Sequence, residues 1–402
     1  MRARCALAVA IGLAVAGAAT PAAAIEWDRG GAIPPDRTPA PLRPDPGCGQ
    51  SYADDAPRGG PRLRFGVGPR LAGEVGTGQT VPLVRERPAL RDAALLRLKG
   101  RRFLAVRLNR LFSADGARGI ARFRALADHF SALGLEVELQ VRYHPRPADD
   151  GDIGRWLAFV RRVVRTFGPN RHVTGLQITN EANLAVSPNT SDGFYARAVD
   201  ALVAGVIVAK RESRRLGYHH QEIGFNYAWG FAPAADAAFW RAVGRRGGDR
   251  LRAATDWIGV DLYPGTFVPG RAEIADLGDV LLEGLAQTRE CFMRQAGFGR
   301  ATPIRIEEIG YPTGPGRPEA EQRRAVEAFV RTAHAYRGTY GITDFRFFGL
   351  RDNNSAGPNF QYFFGLLRDD YSAKPGFHAY RRLVAALGAG RAAGAFTGRA
   401  RT

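Results

Sequence analysis

Three cysteines in 402 residues exclude a disulfide-dense scaffold, and no Cys/His cluster has the spacing of a zinc site. Long apolar runs are scarce after the N-terminus. The longest, residues 201–209, is too short to span a bilayer and meets Lys210 and Arg211. A phosphate-cradling glycine loop is missing: Gly66-Val67-Gly68-Pro69 follows the first strand and does not have that pattern. No P-loop and no Gly-x-Ser-x-Gly elbow occurs. Acidic residues are outnumbered, 39 against 57 basic ones, for a net charge of +18. The arginines are dispersed, as in Arg161-Arg162, Arg214-Arg215, Arg245-Arg246 and Arg323-Arg324, and form no aromatic-interleaved patch. That dispersal argues against a nucleic-acid partner. The charge reads as solvated helix faces, with adhesion to an anionic cell envelope or acidic polysaccharide as the alternative.

What is present begins with a secretory pattern. Arg2 and Arg4 form a basic start, residues 5–19 an apolar core, and Ala22-Ala23-Ala24 a small-residue cleavage site, so residues 1–24 read as a signal peptide, with an uncleaved membrane anchor as the alternative. The expected location is secreted, extracellular or periplasmic. Residues 25–60 are rich in Pro, Gly, Asp and Arg and read as an irregular arm. Cys5 leaves with the signal. Cys48 and Cys291 then remain, as a disulfide tying the arm to the body or as two free thiols. Residues 391–402 read as a flexible tail.

Between them, residues 61–390 alternate. Short apolar strands are expected at Leu63, Phe103, Leu135, Val173, Glu222, Trp257, Ile304 and Thr343, each followed by a stretch with helical spacing. Strands covered on both sides read as apolar runs. The order predicts a single-domain α/β fold, a closed (β/α)8 TIM barrel, in preference to an open doubly wound sheet.

In such a barrel, chemistry sits at the C-terminal ends of the strands. The polar residues there are Arg107, Asn109, Arg142, His144, Asn180, Glu181, Asn226, Asp261, Tyr263, Glu308, and the run Arg351 to Asn354. Glu181 ends the fourth strand and Glu308 the seventh, nearly opposite in an eight-strand ring. Strict alternation predicts Glu308 in phase with Ile304 and Ile306, and Glu307 on the other face. Two facing carboxyl groups suit glycoside hydrolysis, one donating a proton and the other attacking the anomeric carbon, provided they stand about 5–5.5 Å apart. A structural reading pairs them with Arg107 and Arg142 instead. No metal and no cofactor is expected.

Four segments carry a family resemblance. Asn180-Glu181 resembles the Asn-Glu signature of the clan A glycoside hydrolases. Glu308-Ile309-Gly310-Tyr311-Pro312-Thr313 resembles their segment after strand seven. Residues 256–264 and the ending Lys374 to Tyr380 are similar to their sixth-strand and C-terminal segments. The resemblance spans residues 61–388 and is shared among families 5, 17 and 39. It implies a retaining β-glycosidase with Glu181 as acid/base and Glu308 as nucleophile. It also implies that Asn180 bonds the sugar 2-hydroxyl, Tyr263 holds the nucleophile and Arg107 keeps it ionised. Structural readings stand beside these: Asn180 as a strand-end cap, Tyr263 as a half-buried aromatic, Arg107 in an ion pair. His144 reads either as a subsite residue or as a core histidine. Trp229 and Trp240 read as sugar platforms or as packing. Asn226 joins the substrate-binding set by its place at a strand end.

The chain departs from the clan pattern at Ala182, at Tyr311 and at Phe347-Phe348-Gly349-Leu350, where proline, tryptophan and a strand-eight tryptophan are usual. These departures bear on the substrate more than on the chemistry. The expected partner is an oligo- or polysaccharide, acted on by a monomer. A transglycosylase with the same pair, and a non-catalytic carbohydrate-binding or envelope protein on the same barrel, are the alternative readings.

Overall fold

The structure, a computed structural model, describes residues 55–69, 83–231, 233–267 and 272–390. The signal segment, Cys48, most of the arm and the tail at 391–402 lie outside the described residues.

Eight parallel strands close into a barrel in sequence order. They are β1 (Arg64–Val67), β2 (Leu104–Phe112), β3 (Glu136–Arg142), β4 (Val173–Ile178), β5 (Glu222–Ala228), β6 (Trp257–Leu262), β7 (Ile304–Ile309) and β8 (Ile342–Phe347). β8 pairs with β1, so no edge is left open. The outer layer is α1 (Pro88–Lys99), α2 (Gly116–Ala132), α3 (Ile153–Phe167), α4 (Ala198–Arg215), α5 (Pro233–Ala254), α6 (Leu277–Ala286), α7 (Glu319–Ala335) and α8 (Pro375–Leu387). This is the (β/α)8 TIM barrel expected from the sequence.

Local sequence sets the helices. Pro88 opens α1 at its first turn, where a missing N–H is harmless. The Asp152 side chain caps α3 by accepting the Arg155 N–H at 3.0 Å. Trp156, Phe159, Val160, Val163, Val164 and Phe167 then form a buried stripe at helical spacing. Two helices depart from the expected regularity. α5 breaks at Gly248, whose φ of 50° lies in the left-handed region. α6 continues into a π-turn over Gln287–Phe292. Cys291 in that turn is disulfide-bonded. Among the described residues, no helix is long and apolar enough to cross a membrane.

The strands are not apolar on both faces. Their outward residues, such as Val106, Ile178, Ile223, Val260, Ile304, Ile306 and Phe345, pack under the helices. Their inward residues are largely polar and charged. Arg305 meets Glu138 at 3.3 Å, Asp344 at 3.4 Å and also Glu222. Arg346 meets Asp344 at 2.6 Å and Glu138 at 3.2 Å. Arg64 meets Asp344 at 2.8 Å and Glu222 at 3.0 Å. The barrel interior is therefore an ion network, and the apolar core is the shell between sheet and helices. Inward glycines make room for it. A Cβ on Gly224 would come within 2.2 Å of the Trp257 ring, and one on Gly259 within 2.8 Å of the Glu307 side chain.

The same inward face corrects the expected phase of β7. Val260 pairs with Ile306 but Asp261 pairs with Glu308, so the register slips by one residue at Glu307. This bulge turns both Glu307 and Glu308 into the barrel, while Ile304 and Ile306 face the helices. Glu308 reaches the interior because of the slip, and not because it shares a face with the isoleucines.

The last residues of the arm run against the body. Asp55 accepts the Tyr340 hydroxyl at 2.9 Å, and the Gly338 N–H donates to the Arg58 carbonyl at 2.8 Å.

Candidate active site

β4 ends in a contorted turn. Thr179 has φ 65° and Glu181 φ 46°, left-handed conformations that non-glycine residues rarely hold without support. The support is visible. The Asn180 N–H donates to Asp192 Oδ2 at 2.9 Å, and the Glu181 N–H donates to Asn226 Oδ1 at 3.0 Å. Arg142 Nε and the Tyr143 N–H hold Asp192 at 2.6 and 2.7 Å. This turn places Asn180 and Glu181 over the inward face.

Across the barrel, Glu308 accepts Arg107 Nη1 at 2.6 Å on one oxygen and the Tyr263 hydroxyl at 2.7 Å on the other. Gln140 Nε2 stands 3.5 Å from the first oxygen. Arg107 also donates to Asn109 and Gln177, each at 2.7 Å. A planar guanidinium with several fixed acceptors holds a carboxylate in one orientation. Asn180 Oδ1 accepts from Gln140 at 2.7 Å, Asn226 at 3.0 Å and Gln177 at 3.2 Å, and its Nδ2 donates to the Thr190 carbonyl at 2.8 Å.

One carboxyl oxygen from each of Glu181, Asp261 and Glu308 lies within 4.8 Å of the other two, and all three residues are buried. That separation of Glu181 from Glu308 approaches the about 5–5.5 Å of a retaining pair and falls short of the about 6.5–9.5 Å of an inverting one. Burial, then the charge of Glu308, pushes the Glu181 carboxyl up to about 8. One acid is thus poised to carry a proton, while the other is held by a cation and a phenol. Among the described residues these three acids are the cluster with ligand-like spacing. Both oxygens of Glu308 are already committed to Arg107 and Tyr263, so the trio fits proton and nucleophile chemistry better than a cation cage.

The structure brings together Arg107, Asn180, Glu181, Asn226, Tyr263 and Glu308 from the predicted set. His144 stands at the end of β3, stacked on Phe112 at 4.2 Å with Nδ1 2.9 Å from the Pro188 carbonyl and 2.8 Å from the Tyr195 hydroxyl. Its partners are that rim, and burial lowers its pKa. Trp229 is not at the site: its indole N–H donates to Gln287 at 2.6 Å and its ring lies against α6 at Gly284. Trp240 packs among Phe225, Tyr227, Phe239 and Phe292. Gln140, Gln177 and Asp192 were missed. The first two lie in period-two polar series, Glu138-Gln140-Arg142 and Gln177-Thr179, and that alternation is the signal that could have found them.

No protein-family model and no curated protein matches the chain. Solved structures do. The chain is similar to GH5_18 from Streptomyces cattleya, solved in complex with GlcNAc, at 16% identity over 81% of this chain and 80% of that one, with a TM-score of 0.55. It is similar to the family 1 β-glucosidase from Thermotoga maritima at 13% identity over 83% and 99%, with a TM-score of 0.58. It is also similar to a glycoside hydrolase family 17 β-1,3-glucanosyltransferase from Rhizomucor miehei at 15% identity over 78% and 96%, with a TM-score of 0.50. At these identities the likeness is one of fold alone, a (β/α)8 barrel shared with these solved structures.

Proposed function

We propose that this protein is a secreted retaining glycoside hydrolase acting on a β-linked glycan, with Glu308 as nucleophile and Glu181 as acid/base. The observation that carries the reading is the spacing of their buried carboxyl oxygens, within 4.8 Å at the ends of β4 and β7. Glu308, aligned by Arg107 and Tyr263, attacks the anomeric carbon as Glu181 gives its proton to the leaving oxygen. A covalent glycosyl-enzyme forms and the leaving group departs as an alcohol. Glu181, now a carboxylate, takes a proton from water as that water attacks, and Glu308 is released. Asn180, fixed by three amide donors, is positioned to bond a sugar hydroxyl beside the reacting carbon. The similar structures named as hydrolases of families 1 and 5 support this reading.

Transfer to a sugar hydroxyl instead of water uses the same two acids. The similarity to a protein named as a glucanosyltransferase keeps that outcome in the test. The test is release of an activated phenol from a panel of aryl β-glycosides by wild type and by Glu308→Gln, with proton NMR of the first-formed sugar. The expected result is a β-anomer from wild type and a large rate loss in the variant. Equal background rates from both proteins across the panel would sink the enzymatic reading in favour of a carbohydrate-binding protein.

A further inference from the structure

The mechanism above uses two carboxyl groups, and the site contains a third. Asp261 is fully buried at the end of β6. Its Oδ2 accepts Asn226 Nδ2 at 2.5 Å, and its Oδ1 finds no nitrogen or hydroxyl donor. The charged and titratable groups acting on it are Glu181 from the turn after β4, Glu308 and Glu307 from β7, and Arg107 from β2, with Tyr263 just past its own strand beside Glu308. Arg142 from β3 acts on Glu181. Glu308 is already served by Arg107, Gln140 and Tyr263. The Glu181 carboxyl has no such donor among the described residues except Asp261, which it faces.

From this geometry we infer that Asp261 is a positioning residue that stays protonated and donates a hydrogen bond, as a neutral carboxylic acid, to Glu181. A carboxyl group with one neutral donor, no exposure and two acids within 4.8 Å holds its proton. Asn226 orients it: the amide donates to Asp261 Oδ2 and accepts the Glu181 N–H, so one side chain sets both partners. The inference rests on the reading of Glu181 as the acid/base. When Glu181 passes its proton to the leaving oxygen, the Asp261 O–H remains and stabilises the new carboxylate. When water attacks, its proton returns to Glu181. Asp261 neither gains nor loses a proton across the cycle. Burial, then the charges of Glu308 and Glu181, raises Asp261 well above the ordinary carboxyl range, in keeping with this role. Its hydrogen bond acts to lower Glu181 against the burial that raises it.

The test is a carbon NMR titration of protein labelled at the glutamate side-chain carboxyl, with Glu181 assigned by its loss in Glu181→Gln. Wild type, Asp261→Asn and Asp261→Leu are compared. The Asn amide keeps a donor toward Glu181, so that variant leaves the Glu181 titration near the wild-type value. Leu removes the donor, and the Glu181 midpoint rises by about one pH unit. A fall of the midpoint in Asp261→Asn overturns the proposal, because it means that Asp261 was an anion. An unmoved midpoint in a folded Asp261→Leu overturns it too, because the residue then only packs. If Leu does not fold, the Asn variant alone decides between neutral donor and anion. The readout needs no turnover, so it stands whether or not the protein hydrolyses a glycoside. Where hydrolysis is found, the alkaline limb of kcat/KM follows the NMR midpoint of the free protein if Glu181 is the acid/base, and an independent limb counts against that assignment.

Discussion

Glu307 and Glu308 are neighbours in the chain, yet both reach the guanidinium of Arg107: Glu307 Oε2 lies 3.4 Å from Nε and Glu308 Oε1 2.6 Å from Nη1. A regular strand would send them to opposite faces. The bulge against β6 brings them to one face at two depths. Their surroundings differ. Glu308 accepts hydrogen bonds, whereas the Glu307 oxygens accept none from a nitrogen or hydroxyl, Oε2 meeting Arg107 only as an ion pair, and face Glu138. Burial, then the charge of Glu138, raises Glu307 well above the ordinary range, which favours its neutral form beside Glu138. Glu308→Gln is therefore expected to lower kcat on an aryl glycoside by on the order of 10³-fold or more. Glu307→Gln keeps a neutral hydrogen-bonding group and stays within about tenfold of wild type. Equal losses in the two variants would reassign the nucleophile.

Glu138 is the anion that the barrel interior is built on. Arg346 stands 3.2 Å away, Arg305 3.3 Å and Arg107 3.5 Å, all buried. Glu138→Leu leaves those guanidinium groups short of a counter-charge and costs about 3–5 kcal/mol, read from urea unfolding midpoints. The pH dependence has a definite sign. Burial acts to raise Glu138, but Arg346, the Glu307 hydrogen bond, Arg305 and Arg107 outweigh it and hold the group at about 2. A depressed carboxyl contributes stability above its unfolded value, and that stability is lost as pH falls toward 2. Wild type should lose stability on acidification through this window, and Glu138→Gln should lose less. Parallel curves would show that Glu138 is not ionised in the folded protein.

The barrel was legible because strand and helix periods alternate so regularly between Leu63 and Leu387. The site was legible where polar residues end strands, which gave Arg107, Asn180, Glu181, Asn226, Tyr263 and Glu308. The phase of β7 was not, because a bulge is set by the neighbouring strand and leaves no mark in Ile304 to Ile309 itself. Gln140 and Gln177 lie within strands expected to be apolar, and that expectation hid them. Asp261 was seen as a strand-end polar residue, but its closeness to Glu181 depends on the left-handed turn at Thr179 and Glu181 and on the registers across β5, which the sequence does not state.

Trp229 tests whether an aromatic near a strand end binds sugar. Its indole donates to Gln287 and its ring lies under α6, 2% exposed. Trp229→Phe keeps most of the ring and strands the Gln287 oxygen, for a loss of about 1–2 kcal/mol in unfolding free energy. The KM for an oligosaccharide should not change. A several-fold rise in KM with unaltered stability would restore Trp229 to the sugar site.

Asp236 opposes Glu138 in its pH effect. It lies buried in the first turn of α5, taking the Gly230 N–H at 3.0 Å and Asn183 Nδ2 at 2.6 Å. Burial pushes it up to about 7 despite those two donors. A carboxyl raised in the folded state contributes stability that is complete below its unfolded value, about 3.9, and is lost as pH rises through about 7. The melting temperature should therefore fall between pH 5 and pH 8. Asp236→Asn has no proton to release, so its melting temperature should fall less across the same interval. Some slope remains in the variant, because Asp352, raised to about 6, and Glu181, raised to about 8, act in the same direction. Thermal melts of the two proteins at pH 5, 6, 7 and 8 decide it, and identical slopes would mean that Asp236 is ionised throughout and that its two donors outweigh its burial.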